Sequence, residues 1–103
     1  MSTIALCVDL MDRSRITAAR PDVVFVRTIA ALLERVGAGG IDSVIVDLSR
    51  PGAIDAIDAV VAAGVAVTAY GSHVDTGLLG AARAAGCREV LPRSRFFARL
   101  DRA

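Results

Sequence analysis

The sequence predicts an α/β fold: a parallel five-stranded sheet with helices on both faces. Two observations predict it. Short apolar runs rich in β-branched residues recur five times, at Thr3–Val8, Val23–Val26, Ser43–Leu48, Val65–Tyr70 and Glu89–Leu91. Runs that are apolar on both faces mark strands buried in a parallel sheet. A helix-like stretch separates each run from the next, and this alternation is the signature of βα units. The 103 residues, 54% apolar and 22% charged, suit one domain over 1–103 with a single real core.

In chain order, the first strand leads into a polar turn and a short helix over Arg13–Arg20, cut off before Pro21. After the second strand, Arg27-Thr28 reads as a break. The segment "TIAALLERV" then forms a helix, with Thr28 as N-cap and Gly37 as its stop. The competing reading is one continuous helix from Asp22. Pro51-Gly52 precedes a third helix, Ala53–Ala63. Asp75 caps "TGLLGAARAA", which ends at Gly86, and Arg95–Leu100 forms the last helix. Aromatics are scarce, so Val, Ile, Leu and Ala must build the core.

Charge and cysteine content narrow the function classes. The net charge of +1 argues against a nucleic-acid binder. All twelve basic residues are Arg, and six of them fall in residues 83–103 against two acids. Two cysteines, Cys7 and Cys87, make no disulfide framework, and a reduced cytoplasm is the expected setting. The start "MSTIALCVDLMD" has no basic leader. The apolar stretch 53–69 is interrupted by Asp55 and Asp58 and should not span a membrane.

In open parallel sheets, ligands bind beyond the carboxyl ends of the strands, at the switch point of strand order. A flavodoxin-like order, 2-1-3-4-5, puts the first and third strands side by side there. The first strand ends at Asp9, with Asp12 in the following turn, and the third ends "VIVDLSRPG" with Asp47 at its tip. The stretch Val46 to Gly52 resembles the phosphoacceptor motif of response-regulator receiver (CheY-like) domains. "AAGCREVL" from Ala84 is similar to the family's approach to its fifth strand. The resemblance covers nearly the whole chain. It implies Asp47 as phosphoacceptor, Asp9 as first member of the family's acidic pair, and Arg15 as the basic residue often found at the start of the first helix. Asp9, Asp12 and Asp47 become a candidate Mg²⁺ set, because Mg²⁺ prefers oxygen ligands.

The sequence also departs from the receiver pattern. The second acid of the pair is Leu10. The Lys that contacts the phosphoryl group is replaced by Arg93, and the fourth-strand hydroxyl position falls on Gly71, with Ser72 beside it; Thr68 would serve only in a shifted register. Arg is a rigid fork rather than a compact point charge, so the exchange is not conservative. The leading expectation is a stand-alone receiver-like signalling and protein-interaction module without efficient phosphorylation. The alternatives are a phosphorylated receiver using Asp47, and a small enzyme or an anion or small-molecule binder using the same pocket.

Cys7 followed by Arg13-Ser14 also fits the Cys-x5-Arg-Ser string of low-molecular-weight phosphotyrosine phosphatases. A phosphate cradle needs inward backbone N–H groups and a positive field that lowers the Cys pKa. "CVDLMDRS" has no Gly and two Asp instead, so Cys7 reads as a small buried hydrophobe. His73, the single His, lies on the loop after the fourth strand and reads as incidental, with ligation or proton transfer as the alternative. In "RSRFFARLDRA", adjacent Phe96 and Phe97 should not both face inward on one helix. The leading reading is a short helix that packs one Phe on the sheet and solvates its Arg face; the alternative is an interaction surface at the Phe pair, through which C-terminal dimerisation is expected. The resemblance puts the partner face on 75–85 and 89–100.

Overall fold

The computed structural model describes residues 2–102. Five strands alternate with five helices: β1 (Ser2–Leu6), α1 (Leu10–Ala19), β2 (Val24–Val26), α2 (Ile29–Gly37), β3 (Ile41–Asp47), α3 (Ala53–Ala62), β4 (Ala66–Gly71), α4 (Thr76–Ala84), β5 (Glu89–Pro92) and α5 (Arg93–Asp101). All strand pairs are parallel, in the order β2-β1-β3-β4-β5. This is the flavodoxin-like and CheY-like arrangement.

The two-residue period of the strands divides the core into two layers. Ile4, Leu6, Val44, Val46, Val67 and Ala69 face one side and bury Leu32 of α2, Ile57 and Val60 of α3, and Leu79 of α4. Ala5, Ile45 and Tyr70 face the other side, under Ile16 of α1 and Phe96, Phe97 and Leu100 of α5.

Local chemistry sets the helix starts. Thr28 accepts from the Ala31 N–H at 3.1 Å and Asp75 from the Leu78 N–H at 3.2 Å, as N-caps should. The chain is therefore a strand and a capped helix over residues 24–37, not a single helix from Asp22. Asp9 caps α1 in the same way, accepting from the Asp12 N–H at 3.0 Å. The first helix thus begins at Leu10, three residues before the expected Arg13, because an Asp at the strand exit supplies a cap. Gly52 precedes α3 with φ of 78°, and a Cβ there would come within 2.8 Å of Ile29 Cδ1. The left-handed backbone favours Gly there, while the Ile29 tip could move aside.

The expectation for Phe96 and Phe97 is corrected: both are buried, at 3% and 1% exposure. Neighbouring helix residues lie about 100° apart, so two of them can straddle a wide apolar face. Leu100 completes that face one turn later. Phe96 stacks on Tyr70 (centroids 4.7 Å apart, 13° between planes), while Phe97 meets Tyr70 edge-on at 5.3 Å. The pair builds the core and presents no interaction surface.

Candidate functional site

The carboxyl ends of β1, β3 and β4 surround a cleft of about 520 Å³, on to which Asp9, Asp12, Asp47, Ser72, His73 and Arg93 open. β3 brings Asp47 there, where its Oδ1 accepts from the Ser49 N–H at 2.9 Å. β4 brings Tyr70 from beneath, and α5 supplies Arg93 as its first residue. α1 supplies Asp12, which is fully buried on the same stripe as Ile16, one turn later.

Asp12 is the centre of the network. Arg93 holds both of its carboxylate oxygens in a two-pronged ion pair, and the Tyr70 hydroxyl donates toward Oδ2 at 3.2 Å. The same hydroxyl lies 3.3 Å from Cys7 Sγ. The guanidinium also sits over the Phe97 ring, 5.0 Å from its centroid, within cation–π range. The hydrogen bond to Asp12 raises the Arg93 pKa further above its ordinary value, so the clamp stays charged. A buried charge needs such a partner.

The expected metal set is not assembled. Oxygens of Asp12 and Asp47 and the Cys7 sulfur lie within 4.8 Å of one another, but Asp9 is absent from that group because its carboxylate caps α1. Leu10 is 74% exposed and does not line the cleft: as the first residue after the cap it turns outward. A Mg²⁺ ion would have to displace Arg93 from both Asp12 oxygens and accept a thiol as neighbour, a soft ligand unsuited to it. The donor set does not fit Mg²⁺.

Of the remaining expectations, Arg93, Ser72 and His73 do border the cleft, and Gly71 closes β4. A Cβ at Gly71 would meet Leu48 at 3.3 Å. Arg15 lies away from the cleft, ion-paired to Asp101 at 2.7 Å and over Phe97. Tyr70, which from the sequence reads as a strand-end aromatic that packs, with covering the pocket as the alternative, joins the network through its hydroxyl. Its buried hydroxyl ties Asp12 to the sheet, and the signal for this was a strand-end Tyr on the Asp47 face.

Cys7 lacks the properties of an attacking thiolate. It is fully buried, and desolvation, with Asp12 and Asp47 close by, pushes its pKa up. Residues 10–19 form a helix instead of an anion loop, and Arg13 lies over Phe25. Burial, Cys7 and the two acids raise the Tyr70 pKa as well. Both groups therefore keep their protons in the folded state at pH values where the unfolded chain would release them. Their stabilising contribution is complete below about pH 8.5, the unfolded thiol value, and is lost as pH rises further. Unfolding free energy should accordingly fall between roughly pH 9 and 11, and Tyr70→Phe should flatten the upper part of that fall. A fall of unchanged steepness in Tyr70→Phe would exclude Tyr70 as its source.

The fold is that of response-regulator receivers. No family model and no curated protein matches the chain. Eleven chains among solved structures do. One of them is a response regulator from Thermotoga maritima, similar at a TM-score of 0.78 and 13% identity over 98% of this chain and 94% of that one. No helix among the described residues is long and apolar enough to cross a membrane.

Proposed function

We propose that this chain is a receiver-like signalling module that acts by binding a protein partner, in the cytoplasm, with no catalysis of its own and without efficient phosphorylation. One observation carries the reading: Arg93 occupies both Asp12 oxygens. In a working phosphoacceptor pocket, metal and a mobile cation neutralise charge that builds on the transferred phosphoryl group. Here the cation is already committed to an acid of the same chain. The position of Asp47 at the open cleft supports a second reading, a receiver phosphorylated at that residue.

Incubation with acetyl phosphate and Mg²⁺, read by intact-mass spectrometry, separates the two. The wild type should remain unmodified under conditions that largely modify an intact receiver. Arg93→Lys, with one amine in place of the fork, should loosen the clamp and raise any yield. Leu10→Asp should contribute nothing, because position 10 faces solvent. A phosphorylated wild-type species that disappears in Asp47→Ala would overturn the first reading and establish the second.

A further inference from the structure

A second cleft, of about 470 Å³, lies at the opposite end of the sheet, where the strands begin and α1 and α5 end. Its volume falls within the ~300–1,000 Å³ of small-molecule sites. Its chemistry departs from the rest of the sheet. Buried parallel strands are apolar on both faces, yet here β1, β3 and β4 present Thr3, Ser43 and Thr68, with Thr3 Oγ1 2.8 Å from Ser43 Oγ. Phe96 and Leu100 close the cleft from behind, with only 3% and 7% of their surface exposed.

Four arginines border this floor: Arg20, Arg88, Arg99 and Arg102. Arg99 neutralises Glu89, the one acid in the lining, with Arg99 Nη2 2.8 Å from Glu89 Oε1. Arg20 and Arg88 have no carboxylate partner among the described residues. The two helix C-termini contribute roughly half a negative charge each, which leaves the cleft with a positive excess. This excess is unlike the near-neutral chain as a whole.

We propose that this cleft binds a small phosphorylated molecule of nucleotide type. Its phosphates would rest on Arg20, Arg88 and Arg102, and its sugar against the hydroxyls of Thr3, Ser43 and Thr68. Guanidinium forks match phosphate oxygens in pairs, and the three hydroxyls offer both donors and acceptors to a sugar or base edge. The site is separate from the Asp12–Arg93 cleft and does not depend on its reading.

The test is a backbone NMR titration of the full chain with ADP, with pyrophosphate, and with sodium sulfate at matched ionic strength. ADP should give saturable shifts at Thr3, Ser43, Arg20 and Arg88, with tighter binding than pyrophosphate and none with sulfate. Arg88→Gln and Arg20→Gln replace exposed side chains, and each should weaken ADP binding about tenfold or more. Arg35→Gln, on α2, should leave it unchanged. Equal weakening by Arg35→Gln, or equal shifts with sulfate, would reduce the effect to general charge attraction and overturn the site. Shifts centred on Asp47 and Ser72 would overturn it too, and pyrophosphate binding as tight as ADP would overturn the role of the hydroxyl floor.

Discussion

Phe97→Ala lowers the free energy of unfolding by about 3–5 kcal/mol, the usual cost of deleting a buried aromatic. Stability for a domain of this size is about 5–15 kcal/mol, so the variant retains only a fraction of it. Phe97 is 1% exposed, its ring meets Phe96 and Tyr70 edge-on at 5.0 and 5.3 Å, and Arg15 and Arg93 both lie over it. Urea denaturation measures the loss as a lower midpoint with an unchanged slope. A loss below about 1 kcal/mol, the mean for an ordinary substitution, together with a dimer that dissociates on substitution, would restore the Phe pair to a surface role.

The fold was legible because strand and helix signals agreed along the chain. β-branched runs marked each strand, Thr28 and Asp75 marked helix starts, and Gly52 marked a turn that favours Gly. Asp47 was legible as a strand-end acid. Less legible was the division of labour between Asp9 and Asp12, since both sit near one strand exit. Helix capping decides it: an Asp at the cap spends its carboxylate on a backbone N–H, and the residue three positions on turns inward. The spacing of Asp12 from Ile16 carried that information. The burial of Phe96 and Phe97 was misread because helix faces were treated as narrow. Leu100, at i+4 and i+3 from the two rings, was the sign that the apolar face is wide. The resemblance put Arg93 beside the clustered acids, where it could relieve their repulsion; that it takes Asp12 with both prongs, across 81 positions of chain, was not legible in any local pattern.

The Asp12–Arg93 pair should respond unequally to loss of its two ends. Arg93→Met strands a carboxylate that is 1% exposed, with only the Tyr70 hydroxyl left to serve it. Breaking a fully buried pair costs about 3–5 kcal/mol. The Arg93 side chain is 47% exposed, which lowers the expectation to about 2–3 kcal/mol. Asp12→Asn is milder, about 1 kcal/mol, because the guanidinium it releases can be hydrated and the amide oxygen still accepts from Tyr70. A double variant, Asp12→Leu with Arg93→Met, removes both charges and should recover most of the stability, as apolar replacement of buried pairs does elsewhere. Urea melts of the four proteins measure these differences. Equal losses for the two single variants would mean that stranding the Asp12 carboxylate costs no more than freeing the guanidinium, and the proposed lack of phosphoryl chemistry would lose its structural basis.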